Sequence, residues 1–234
     1  MEHIVIFTDG ASRGNPGAGG YGSVLVSLVG KQVWEFGDRE DNTTNNRMEL
    51  SAIIRGLAEV EKIVSKDFEV TIYTDSKYVI KGATAWVFGW QKNDWKTKNK
   101  TDVLNKDLWE RLVVLIQNKK INWEHVPGHA GIPGNERVDE IGTKLADKEP
   151  VELYQGSLEN YFVKDILNTE FDESDLKKKK SGKAYSYVSE VGGVVKTHTE
   201  WGSCKIRVDG KKSRFKKVFS AEEEKALIDE WSAK

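Results

Sequence analysis

Cysteine is almost missing from this chain: Cys204 is the single one among 234 residues. An internal disulfide is therefore excluded, and the thiol fits a reducing compartment. Long apolar runs are missing too. The longest, 24–29 and 112–116, fall far short of the roughly 20 apolar residues that a membrane span needs. No basic stretch leads into an apolar stretch and a small-residue cleavage site; the N-terminus runs directly into strand-like residues 4–7. These absences lead us to expect a cytoplasmic protein without a membrane partner; a monomer is expected as well. Internal repeats are absent. Net charge is nearly absent as well, with 36 basic residues against 37 acidic ones. With 38% hydrophobic and 31% charged residues, the composition is that of a globular protein and excludes a disordered chain.

The charge is unevenly placed. Between Trp86 and Lys100 every formal charge is positive except Asp94. Between Lys205 and Lys217 lie Arg207, Lys211, Lys212, Arg214 and Lys216, with Asp209 as the lone acid. Basic runs are usually solvated surface. Here aromatic residues are interleaved with them, which favours a nucleic-acid partner.

Three parts follow along the chain. Residues 1–150 alternate strand and helix patterns. Residues 151–183 read as a connector that is first acidic, then basic at 177–180, and closes on Ser181-Gly182. Tyr154, Tyr161, Phe162, Ile166 and Leu167 lie within it and suit partial docking. Residues 184–234 form a small α+β unit ending in a helical pattern at 221–231. In the first part, strands are expected at 4–7, 24–29, 32–36, 70–73 and 121–125, with Gly30-Lys31 as a tight turn. Leu50, Ile53, Ile54, Leu57 and Val64 follow a helical period, and Asn135 is the expected cap of a last helix carrying Val138, Ile141 and Leu145. The fold class is α/β: a mixed five-stranded sheet flanked by helices.

Two strands close on the same pattern, Phe7-Thr8-Asp9-Gly10 and Tyr73-Thr74-Asp75-Ser76. Ligands of open α/β sheets sit beyond the carboxyl ends of strands. Two aspartates on neighbouring strands there repel each other unless a cation intervenes, and Mg²⁺ is suited by carboxylates and substrate phosphates. Strand termination and helix capping remain open for both. Glu49 also reads as the third residue of a helix capped by Asn46, and Asp139 as a first-turn acid that the helix dipole favours. His129, in the glycine-flanked 127–131 loop, reads as an exposed loop residue or as a proton carrier. Gly17-Ala18-Gly19-Gly20-Tyr21-Gly22 matches a dinucleotide fingerprint, but a strand pattern follows where a helix is required. We read these glycines as a loop allowing close backbone approach.

The assembled residues resemble type 1 ribonuclease H over roughly 4–147. The resemblance rests on Phe7-Thr8-Asp9-Gly10, Gly14-Asn15-Pro16-Gly17, Thr44-Asn45-Asn46-Arg47-Met48-Glu49-Leu50, Thr74-Asp75-Ser76, Tyr78-Val79, Trp95-Lys96-Thr97, Asp107-Leu108-Trp109, Gly128-His129-Ala130-Gly131 and Asn135-Glu136-Arg137-Val138-Asp139, in this order. It implies an endonuclease that hydrolyses the RNA strand of an RNA–DNA hybrid, leaving 5′-phosphate and 3′-hydroxyl ends. Asp9, Glu49, Asp75 and Asp139 would hold two Mg²⁺ ions, with Mn²⁺ able to substitute, and His129 would be the mobile-loop histidine. Asn15, Asn45 and Asn46 would reach the minor groove, and Thr44 a DNA phosphate. Lys77 stands where bacterial members often carry Gln, and a lysine accepts no hydrogen bond. Residues 86–100 align with the family's basic protrusion, giving Trp86, Trp90, Lys92, Trp95, Lys96 and Lys98 as substrate contacts. Gln91-Lys92-Asn93-Asp94 is less basic than usual, so a weaker grip is expected there. The tail is similar to the family's small hybrid-binding domain, which implies hybrid contacts for Tyr187, Trp201, Phe215, Lys216 and Lys217. A non-catalytic hybrid binder and a DNA-directed nuclease or integrase of the same fold are the competing expectations.

Overall fold

Residues 4–7 pair with strands on both sides and lie in the interior of a sheet. The computed structural model describes residues 1–64, 67–171, 184–211, 213–219 and 221–232. The basic run 177–180 and Ser181-Gly182 lie outside the described residues. The chain divides into two units, Met1–Phe171 and Asp172–Lys234.

The first unit opens with β1 (Glu2–Ser12), β2 (Gly17–Ser27) and β3 (Gln32–Thr43), an antiparallel meander. α1 (Asn45–Ile63) then leads to β4 (Phe68–Thr74), which pairs parallel to β1. α2 (Lys77–Lys81), a single π-helical turn (Gly82–Trp86) and α3 (Val87–Lys92) precede α4 (Lys106–Ile116). β5 (Lys120–His125) pairs parallel to β4, and α5 (Pro133–Ala146) follows. The sheet has six strands where five were expected, in the order β5-β4-β1-β2-β3-β6. The added strand is β6 (Gln155–Ser157), three residues antiparallel to β3, too short and polar to show period-2 alternation. The first unit thus runs past residue 150 to Phe171.

Two apolar layers cover the sheet. Ile4, Ile6, Leu25, Val70 and Ile72 pack on one face with Leu50, Ile53 and Leu57 of α1 and Trp109 and Leu112 of α4. Phe7, Val24, Val26 and Val33 pack on the other with Val138 and Ile141 of α5, Tyr161 and Ile166. The alternation of buried residues in β1 between the two layers is the period-2 signature of a central strand.

Several local expectations give way to tertiary packing. The glycines at 17–22 lie in β2 and not in a loop, because α5 presses on the sheet there: a Cβ at Gly20 would meet Gly142 O at 2.4 Å and Ala146 N at 2.7 Å. Thr44, not Asn46, caps α1, its hydroxyl accepting from the Arg47 N–H, which makes Glu49 an interior helical residue. Pro133 opens α5 one turn early, behind the cap position Ile132. Asn135 is therefore inside α5 and 2% exposed, and Asp139 lies beyond its first turn. The 4–7 strand continues through Asp9 to Ser12, because β2 pairs with it along its whole length.

The second unit contains β7 (Ser186–Val191), β8 (Val194–His198), α6 (Trp201–Val208), β9 (Ser213–Val218) and α7 (Ala221–Ser232). Its antiparallel sheet has the order β8-β7-β9, and Val188, Val218, Leu227 and Trp231 form a small core. Cys204 is buried in this unit.

Candidate active site

The carboxylates come together because β1 and β4 are parallel neighbours whose pairing ends at Thr8↔Thr74. Asp9 and Asp75 are the next residues on each. α1 delivers the third acid. A Cβ at Gly10 would meet the Glu49 backbone N at 2.3 Å, so the bare glycine is what lets α1 close on β1. One oxygen from each of Asp9, Glu49 and Asp75 lies within 4.8 Å of the others. Asp9 is 8% and Glu49 5% exposed.

Such a cluster resists ionisation. Burial, then the charges of Asp75 and Asp139, push the Asp9 carboxyl up to about 8 from 3.8, against a lowering bond from the Gly10 N–H. Glu49 is driven well above its ordinary value by burial and by Asp9 and Asp75, partly offset by the Asn45 amide, which donates at 3.3 Å. Burial raises Asp75 and Asp139, while His129 pulls both down. Glu49 Oε2 is buried and has no hydrogen-bond partner among the described residues. An orphaned buried oxygen beside two further carboxylates is the donor set of a hard divalent cation.

α5 adds a second group. His129, Glu136 and Asp139 also offer atoms within 4.8 Å of one another, with His129 Nδ1 3.5 Å from Asp139 Oδ2. The His129 backbone is left-handed (φ 53°) and its side chain is 72% exposed. The loop passes close to the acids: a Cβ at Gly128 would meet Asp75 Oδ2 at 2.4 Å. Glu136, which accepts from the Gly131 N–H at 3.0 Å, was not singled out from sequence. Its place one turn before Asp139 was the available signal.

The remaining predicted contacts are spread more widely. Asn15 and Asn45 are exposed, Thr44 and Asn46 partly so, and Thr44 and Asn45 adjoin Glu49 through the start of α1. Lys77 is exposed at the start of α2, just after Asp75. Trp86 is 39% exposed, whereas Trp90 and Trp95 are partly buried against the core. The three indoles run in series, with ring centres 5.7 Å and 6.4 Å apart. Lys92 and Lys98 are exposed, and Lys96 pairs with Asp102 at 2.6 Å. In the second unit Tyr187, Trp201 and Phe215 form one ladder of rings, with centres 5.5 Å and 5.2 Å apart. Lys217 lies opposite Tyr187 in the β7–β9 pairing, with Lys216 exposed beside it. No helix among the described residues is long and apolar enough to cross a membrane.

Comparison with known proteins places the first unit in a family. The RNase H family model matches residues 1–147. A "Ribonuclease H" of Novosphingobium aromaticivorans is 48% identical over 146 residues, covering 62% of this chain and 98% of that protein. A "Ribonuclease HI" of Pseudomonas syringae pv. tomato is 46% identical over 148 residues, covering 63% of this chain and 94% of that protein. Among solved structures, the type 1 enzyme LC9-RNase H1 superposes with a TM-score of 0.59 at 25% identity, covering 73% of this chain and 85% of its own. The match of the family model over well more than half of the chain, and the same name on relatives of nearly half-identical sequence, show that this protein belongs to the RNase H family and is an endoribonuclease.

Proposed function

We propose that the protein hydrolyses the RNA strand of RNA–DNA hybrids with two divalent cations, Mg²⁺ or in its place Mn²⁺, leaving 5′-phosphate and 3′-hydroxyl ends. One observation carries this reading: Asp9, Glu49 and Asp75 converge within 4.8 Å around an orphaned buried oxygen, with Asp139 close enough to raise the Asp9 carboxyl. These four side chains would hold the cations. When bound, the cations supply Lewis acidity to the phosphate oxygens, the attacking water and the leaving 3′ oxygen.

The chain's own residues do the rest. The Asn45 amide holds Glu49 in place. His129, exposed and 3.5 Å from Asp139, carries a proton between the site and solvent. Asn15, Asn45 and Asn46 read the wide minor groove, where 2′-hydroxyls mark RNA, and Thr44 holds a DNA phosphate. Lys77 donates to a phosphate. The indole series Trp86, Trp90 and Trp95, with Lys92, Lys96 and Lys98, lies along the DNA strand. In the second unit the Tyr187–Trp201–Phe215 ladder with Lys216 and Lys217 grips the hybrid backbone.

Cleavage of a labelled hybrid in Mg²⁺ by the wild type, and its loss in Asp75→Asn, is the expected result. Intact RNA with both proteins overturns the reading, and equal cutting of duplex DNA points instead to a DNA-directed nuclease.

A further inference from the structure

β3 carries a buried carboxylate, Glu35, that the site chemistry does not use; it is 4% exposed. It accepts from Arg137 Nε and Nη2 at 2.8 Å each, from the Tyr154 N–H at 2.9 Å and from the Tyr161 hydroxyl. Arg137, on α5, is 6% exposed. Its Nη2 also donates to Glu152 O and its Nη1 to Glu140, both at 2.8 Å, and the Phe162 ring lies 4.8 Å from its guanidinium carbon.

A buried ion pair is tolerated only when further hydrogen bonds satisfy its remaining atoms. Here Glu152, Tyr154 and Tyr161 supply them, all from the segment after α5. That segment is firmly seated. β6 pairs with β3, the Glu35 N–H donates to Tyr154 O at 2.8 Å, and Tyr161 and Ile166 enter the same core layer as Val138 and Ile141 of α5. Arg137 and Asp139 are two apart on α5, so their side chains leave the helix axis about 200° apart. A guanidinium fixed on the outer side sets the rotation of the helix, and with it the direction of Asp139.

We propose that Tyr161, acting with Glu35 and Arg137, is a positioning residue for Asp139, so that the segment 152–166 completes the metal site from outside it. This rests on the reading that Asp139 helps hold the divalent cations. The segment serves as a splint for α5, and the family model's match at 1–147 stops short of it.

The test uses the full chain without substrate, at a temperature where circular dichroism shows each protein folded. Mn²⁺ binding is followed by electron paramagnetic resonance for the wild type, Tyr161→Phe and Leu112→Ala. Leu112 belongs to the other core layer, so Leu112→Ala controls for lost stability alone. In Tyr161→Phe the Mn²⁺ dissociation constant is expected to rise three- to tenfold. The Mg²⁺ midpoint of hybrid cleavage should move in the same direction, with the KM for hybrid within twofold. Leu112→Ala should melt at lower temperature and bind Mn²⁺ like the wild type. Wild-type Mn²⁺ affinity in Tyr161→Phe, or an equal loss in Leu112→Ala, overturns the positioning role while leaving the nuclease reading intact. A wild type that neither binds Mn²⁺ nor cuts hybrid overturns the nuclease reading, and the positioning role falls with it.

Discussion

Asp9 has opposite consequences for stability and for chemistry. Its carboxyl titrates at 3.8 in the unfolded chain and at about 8 in the folded one. Between those values the folded state holds a proton that the unfolded chain has released. Without metal, the contribution of Asp9 to stability is therefore fully present below about pH 4 and is lost as pH rises through about 8. Asp9→Asn removes this penalty, so in chelator at pH 8 the variant should be more stable than wild type by on the order of 2–4 kcal/mol. Added Mg²⁺ should stabilise the wild type and not the variant. Melts at pH 5 and pH 8 check this, and equal pH slopes for both proteins would refute it. His129 belongs to the same scale. Its exposed, left-handed loop suits a carrier and not a scaffold, so His129→Ala should slow turnover by roughly 100-fold with hybrid affinity retained. Single-turnover against steady-state kinetics locates the slowed step, and an unchanged rate would remove His129 from the mechanism. The sequence displayed Asp9 and Asp75 through their repeated Thr-Asp context. Glu49 and Asp139 had ordinary helix-start explanations and were singled out only through the family resemblance, and Glu136 gave only its helical spacing, because a helical acid looks the same whether it faces solvent or a sheet edge.

At the scale of elements, β2 and α5 set the architecture of the site. The Gly-rich start of β2 exists so that α5 lies flat on the sheet: Gly20 faces the backbone of Gly142 and Ala146 with no room for a methyl. Gly20→Ala should then push α5 outward, destabilise the protein by about 1–3 kcal/mol, and weaken divalent-ion binding, because Asp139 rides on α5. Denaturant titration and Mn²⁺ titration measure the two effects, and a variant of unchanged stability would contradict the packing account. Strand and helix identities were legible from apolar period, which reports which face is buried. Cap positions at Thr44 and Ile132, the continuation of β1 past Asp9 and the strand nature of the 17–22 glycines were not. Each depends on a partner element that local propensity does not contain.

Over the whole molecule, the chain divides into two units of different composition. The first unit has a lightly basic helical segment, with Gln91 and Asn93 flanking Lys92 and Lys96 already paired to Asp102. The second unit presents three aromatic rings beside Lys216 and Lys217. Removal of residues 184–234 should therefore weaken hybrid affinity more than it lowers the rate of the chemical step. Trp201→Ala alone should weaken affinity by roughly tenfold. Lys216→Ala should reduce the slope of log affinity against log salt by about 1. Binding measured at two salt concentrations checks all three, and unchanged affinity in the shortened protein would remove the second unit from substrate binding.

The sequence by itself determined the α/β class, the order of most elements, the basic aromatic character of the tail, and the residue types that the chemistry needs. Periodicity and motif order carry that information because they are local. Only the tertiary structure decided that Asp9 and Asp75 adjoin, that Glu49 closes on them through Gly10, and that the segment following α5 belongs to the catalytic unit. Those outcomes depend on strand neighbours, helix rotation and a buried ion pair between residues 102 positions apart, which no local window contains.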